Sequence, residues 1–230
     1  MSFKAESGLL TVNTVPLRTF AVRYAVSFGV VAALFLYASL FKATYVDDAF
    51  IQLQYARDLI VHHTWGFFPD RVVNTATSPL NVILTALVGL VVGSLIDVVV
   101  WLTTLELALL LLLLLRISGH LFGNYYFGIF CFLAFATNPL LLSTLGLEGL
   151  LYTLLVIAAV AVSLSRTWWL LAVVLGLLTL ARSDGGLLFV IFLLLLPVSL
   201  KGRAKFMSWC CFPGISIRGS IWGRSSPTRC

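Results

Sequence analysis

Residues 24–41 read YAVSFGVVAALFLYASLF, a run without a charge, and a few residues later the chain reaches Tyr45-Val46-Asp47-Asp48-Ala49-Phe50. The run approaches the length of a bilayer span. It is longer than a typical signal-peptide core and leads into the Asp47 region without a convincing cleavage site, so it reads as a retained anchor. Further charge-free runs occupy residues 72–96, 149–165, 167–181 and 185–200. The chain is 60% hydrophobic and 10% charged, with a mean hydropathy of +1.05, which excludes an ordinary soluble domain. The expected fold is all-α, a polytopic transmembrane helical bundle.

Seven apolar segments can be marked, at 20–42, 79–95, 97–115, 125–143, 147–165, 167–181 and 185–200, and about six or seven of them are expected to cross. The positive-inside rule sets the orientation. Lys4, Arg18 and Arg23 place the N-terminus in the cytoplasm, which sends Asp47 and Asp48 outside. Arg116, Arg166 and the cluster Lys201, Arg203 and Lys205 belong inside, leaving Glu148 and Arg182-Ser183-Asp184 on the outer side. That arrangement needs an odd number of crossings between Thr77 and Arg116, so one of the two segments there, the 79–95 segment with Gly89 and Gly93 in preference to the other, is expected to be re-entrant or to lie in the outer half of the bilayer. The expected location is the plasma (inner) membrane, multi-pass.

Residues 1–200 form the expected transmembrane module, with an outer loop at 43–78. An Asp at the head of Ala49-Phe50 caps a helix, because a carboxylate accepts from free backbone N–H groups and suits the positive helix end. Phe50, Leu53, Ala56 and Ile60 recur at helical spacing, with Gln52, Tyr55 and Asp58 turned elsewhere. The spacing predicts an amphipathic helix on the outer membrane surface. After the turn at Gly66 and Phe67-Phe68-Pro69-Asp70, the loop Asn74-Thr75-Ala76-Thr77 leads to Ser78-Pro79, the signature of an N-cap followed by proline at the first helical position.

These residues carry a resemblance. Asp47-Asp48-Ala49-Phe50-Ile51, then Gln54-Tyr55-Ala56-Arg57, Trp65-Gly66-Phe67 and Thr77-Ser78-Pro79-Leu80, resemble the first outer loop of bacterial GT-C glycosyltransferases. Within that superfamily the arabinofuranosyltransferase-like and protein-mannosyltransferase-like members are most similar. Gly146-Leu147-Glu148 with Leu150-Leu151-Tyr152, and Ala181-Arg182-Ser183-Asp184-Gly185, resemble two further motifs in the same order. The resemblance spans about residues 20–200.

It implies an integral membrane glycosyltransferase that passes a sugar from a polyprenyl-phosphate donor to a glycan, lipid or protein acceptor of the cell envelope. An acceptor hydroxyl is a weak nucleophile near neutral pH, so a carboxylate must take its proton as it attacks the anomeric carbon. Asp47 is the expected general base; Asp48 orients it, accepts from the acceptor or helps to hold a cation. Glu148 is expected to bind acceptor or cation. Arg182, with Arg57 or His62, is expected to bind the donor phosphate, whose charge suits a guanidinium.

Simpler readings accompany these. Asp47 and Asp48 suit plain helix capping, which is compatible with catalysis. Glu148 suits a loop at the membrane interface, Arg182 and Asp184 a paired turn closed by Gly185 and Gly186, and His62-His63 a solvated surface. Trp65, Trp168 and Trp169 are interfacial anchors. Glu106, inside an apolar segment, belongs to none of the matched motifs. The reading from another class is a transporter or channel subunit, marked by internal symmetry or ionisable groups along a midplane path. No clear repeat relates the halves, and the polar residues concentrate at one face.

Residues 201–230 form a basic tail with Cys210, Cys211 and Cys230, outside the expected fold. It follows an inner-side basic cluster, so a disulfide framework is not expected. GT-C enzymes are usually longer, and the expectation is a truncated or frameshifted fragment that retains the Asp pair with or without turnover. The net charge of +6 calls for no nucleic acid, since membrane topology and lipid headgroups account for it. No cofactor motif and no Cys/His metal spacing occurs. A divalent cation at the carboxylates is chemically compatible, without ligand spacing that supports it.

Overall fold

The structure, a computed structural model, describes residues 17–42, 47–66 and 76–195. Lys4, the 67–75 part of the outer loop, the basic cluster Lys201, Arg203 and Lys205, and the cysteine-bearing tail lie outside the described residues. The described residues form nine helices: α1 (Leu17–Leu40), α2 (Asp47–Val61), α3 (Pro79–Val92), α4 (Leu95–Phe122), α5 (Tyr126–Ala136), α6 (Pro139–Ser143), α7 (Gly149–Leu164), α8 (Trp168–Ala181) and α9 (Gly185–Leu195). The fold is all-α, with no strand among the described residues.

Helix α4 is the axis of the fold. Its Leu-rich sequence favours helix, and Gly123 ends it in the left-handed region at φ 67°, where glycine meets no Cβ penalty. It packs against α1, α3, α5 and α7. One core joins Leu34 of α1, Leu107, Leu110 and Leu114 of α4, Phe132 of α5 and Leu150 and Leu154 of α7. A second joins Leu151, Leu155 and Ala159 of α7 to Leu171, Leu175 and Leu178 of α8. A third joins Tyr55 and Ala56 of α2 to Val82 and Ala86 of α3. Two glycines let backbones meet: a Cβ on Gly128 would stand 2.7 Å from Leu114 O, and one on Gly185 would stand 2.4 Å from Leu178 O.

Among the described residues, α4 alone is both long and apolar enough to cross a membrane. Its 28 residues reach roughly 42 Å, whereas a 14-residue helix such as α3 or α8 reaches roughly 21 Å against a hydrocarbon layer of about 30 Å. Large apolar side chains nevertheless line the outside of the bundle, among them Phe28, Leu36, Leu90, Phe130, Leu187 and Leu194.

Three features depart from the sequence expectation. The 125–143 segment is two helices, because Pro139 has no N–H to continue α5 and Asn138 starts α6 by accepting from Leu140 N at 3.0 Å. Helix α4 continues past Arg116 to Phe122, so that charge sits within a helix and not at its end. The buried side of α2 is wider than expected: Leu53 and Ala56 are buried as their spacing predicts, Gln52, Tyr55 and Asp58 are buried as well, and Phe50 is 48% exposed. Helix α3 packs along α2, with Val82 and Ala86 in one core with Tyr55 and Ala56 and Asn81 bonded to Gln52.

Candidate functional site

The site begins at the two helix starts that local chemistry fixes. Asp47 and Asp48 occupy the first turn of α2, where negative charge suits the helix end, and both are exposed. Ser78 caps α3, its Oγ accepting from Asn81 N at 3.3 Å, with Pro79 next in the chain. The capping bond orients the first turn of α3, from which Asn81 reaches α2.

Glu148 stands at the start of α7 and is 8% exposed. Its carboxylate makes no cap bond to its own helix. One oxygen, Oε2, accepts instead from Gln52 Nε2 of α2 at 2.8 Å and from Thr77 Oγ1 at 3.5 Å. The other, Oε1, lies 3.6 Å from Arg182 Nη1 at the end of α8. An ionised carboxylate only accepts, so the Gln52 amide must turn its NH₂ toward Glu148 and its Oε1 away. That Oε1 accepts from Asn81 Nδ2, which also lies 3.4 Å from Gly146 O. The network therefore ties α2, α3, the loop before α7, and the end of α8.

Arg182 is extended, at φ −150° and ψ 148°, and leaves the helix that Gly185 restarts. Its guanidinium bonds Asp184 at 3.2 Å, faces Glu148, and lies 5.7 Å from the Tyr152 ring centroid. The hydrogen bond from Arg182 holds the Asp184 carboxyl below the usual carboxylate range, and the same bond raises Arg182. Nε and Nη2 of Arg182 face Asp184 and Nη1 faces Glu148, and the side chain remains 43% exposed.

The structure thus joins Glu148 to Arg182, and reaches the Asp pair through α2. Asp48 and Gln52 are four residues apart and share a face. Ala49 abuts Gly146, whose added Cβ would meet the Ala49 Cβ at 3.0 Å. Arg57 is exposed farther along α2, roughly 8 Å of helix axis beyond Gln52, His62 is exposed in the turn that follows α2, and neither enters the network. Three participants escaped sequence reasoning: Gln52, Thr77 and Asn81. A signal existed for two, since Gln52 and Asn81 are amides within apolar helical patterns. No cluster of three or more His, Cys, Asp or Glu with room for a metal ion occurs among the described residues.

Searches against protein-family models, curated proteins and solved structures find nothing that matches this chain.

Proposed function

We propose that the chain is an integral membrane glycosyltransferase of the GT-C type, passing a sugar from a polyprenyl-phosphate donor to an envelope acceptor at the end of the bundle that carries Glu148. One observation carries the reading. Buried Glu148 and half-exposed Arg182 are paired at 3.6 Å, and a hydrogen bond at 2.8 Å ties them to the helix that begins with Asp47 and Asp48. A guanidinium suited to phosphate thus stands beside one carboxylate, and the helix that begins with two more is tied to that carboxylate. The apolar outer surface of the helices, with Phe28, Leu90 and Leu187 turned outward, supports a multi-pass bundle whose short helices pack around α4.

In this reading Asp47 takes the proton of the acceptor hydroxyl as its oxygen bonds to the anomeric carbon. The bond from that carbon to the phosphate oxygen breaks, and the lipid phosphate leaves with the electron pair. Arg182, with 43% of its side chain exposed, stabilises the growing phosphate charge. Glu148 holds Arg182 and Gln52 in place, and Asp48 binds acceptor one turn above Gln52. The test is incubation of membranes containing the chain with labelled polyprenyl-phosphate sugar. Label in a glycan, lipid or protein fraction above that of membranes without the chain supports the reading; equal labelling contradicts it.

A second reading, a transporter or channel subunit, is favoured by Glu106, which is buried within the long apolar α4. Solute uptake into vesicles that depends on Glu106 and not on Asp47 would favour it.

A further inference from the structure

Beneath the Gln52–Asn81 pair lies a small cavity that the glycosyl-transfer chemistry does not use. Asn81 and Thr85 of α3, Thr103 and Glu106 of α4, and Gly146 and Leu150 line it, and about 10 Å³ is open to the centre of a water molecule. That is room for one small occupant. Thr103 and Glu106 are three apart and face it together. Thr85, Thr103 and Glu106 are 3, 5 and 7% exposed.

The polar side chains in and beside this space differ in their bonding. Thr104 next door bonds back to Val100 O at 2.7 Å. Among the described residues, the side chains of Thr85, Thr103 and Glu106 make no such bond and no ion pair. Asn81 spends its NH₂ on Gln52 and Gly146, which leaves its side-chain carbonyl oxygen as an acceptor. A buried carboxylate without a partner is costly, and the cost is met by a proton or by a cation.

We propose that this cavity binds a sodium ion, with oxygen ligands from the Glu106 carboxylate, the Thr85 and Thr103 hydroxyls and the Asn81 side-chain carbonyl. Hard cations take oxygen ligands, and one carboxylate balances a single positive charge, not two. The space admits a bare sodium ion, which is smaller than a water molecule, and the closer approach of the smaller ion to the carboxylate favours it over potassium. Bound there, the ion joins α3 to α4 directly under the Glu148 network. The inference does not depend on glycosyl transfer, and the experiment below reads binding alone.

The test measures thermal unfolding of the full chain in detergent micelles, in sodium, potassium or choline chloride at equal ionic strength and one fixed pH above neutrality. Ligand that binds only the folded state raises Tm with its concentration. The expected result is a saturable rise of several degrees in sodium, a smaller one in potassium and none in choline. Glu106→Gln and Thr103→Val each remove or weaken the sodium-dependent part. Equal Tm in the three salts overturns the site, as does a sodium shift undiminished in Thr103→Val, which keeps the test decisive if Glu106→Gln does not fold. The same three salts at a second, lower pH complete the test: a Tm that ignores sodium at both pH values and is higher at the lower one assigns the neutralising role to a proton and overturns the proposal equally.

Discussion

Glu148 of α7 and Gln52 of α2, 96 residues apart in the chain, meet in a buried hydrogen bond of 2.8 Å. Gln52 sits between two partners that each fix one end of its amide: the Glu148 carboxylate takes its N–H, and Asn81 donates to its carbonyl. The result is a polar bridge that holds the helix beginning with Asp47 and Asp48 to the helices that carry Glu148 and Arg182.

Replacing Gln52 with Leu breaks both bonds while keeping most of the volume. Glu148 Oε2 then retains only Thr77 at 3.5 Å, and Asn81 Nδ2 only Gly146 O at 3.4 Å. The expected loss of stability is about 1–3 kcal/mol, the cost of leaving buried polar atoms unpaired. Gln52→Glu loses more, because it sets a carboxylate against Glu148. Equilibrium unfolding in detergent measures both.

Glycine substitutions separate close packing from open surface. Gly185→Ala places a Cβ 2.4 Å from backbone oxygen Leu178 O, so α9 must move away from α8 and a large destabilisation follows. Gly146→Ala combines φ +87° with a Cβ 3.0 Å from Ala49; the left-handed backbone alone costs about 1–2 kcal/mol. Gly29→Ala in α1 meets nothing within 4 Å and raises stability by about 0.5–1 kcal/mol through helix propensity. The order of the three Tm values checks the packing of α8 on α9 and of α2 on the Gly146 loop.

The Arg182–Asp184 pair gives a pH dependence with a definite sign. Asp184 titrates below its ordinary value because Arg182 donates to it. Its contribution is therefore present above the ordinary carboxylate pKa and is lost as pH falls through the lowered folded value. Both side chains are substantially exposed, at 43 and 56%, so water and salt screen the pair and the effect is small. Asp184→Asn should flatten the acid limb of the stability curve slightly, and added salt should do the same to the wild-type chain.

Arg57 and His62 provide the negative control. Arg57 is exposed on α2 and His62 in the turn after it, both beyond the network, so Arg57→Ala and His62→Ala should change stability by no more than about 0.5 kcal/mol. Neither should alter the sugar transfer that Arg182→Gln weakens. Parallel unfolding and labelling experiments on the three variants decide this.

Local chemistry made much of this fold legible. Asp47-Asp48 and Ser78-Pro79 mark helix starts because capping depends on neighbours in sequence. Apolar runs located the helices for the same reason. The buried face of α2 is legible in part: Leu53 and Ala56 follow the apolar spacing, whereas the burial of Gln52 and Tyr55 comes with the packing of α3 against them. The end of α4 was misplaced because Arg116 reads as a boundary, whereas its long stem lets a helix continue past it. Within the site, Glu148 and Arg182 stood out as rare charges. Gln52 and Asn81 carry no charge, and their importance arises from partners 96 and 29 residues away. Glu106 was visible as a buried charge but without a role, because three separate segments are needed to build its cavity.

The central claim is that the Asp pair, held to Glu148 and Arg182 through Gln52, performs glycosyl transfer. The most direct measurement is the initial rate of labelled-sugar transfer from polyprenyl-phosphate donor by wild type, Asp47→Asn and Asp48→Asn in membranes with equal amounts of folded chain. Removal of a general base predicts a fall of roughly 10²–10⁴-fold for Asp47→Asn, with a smaller fall for Asp48→Asn. Transfer that proceeds at the wild-type rate in Asp47→Asn would contradict the account.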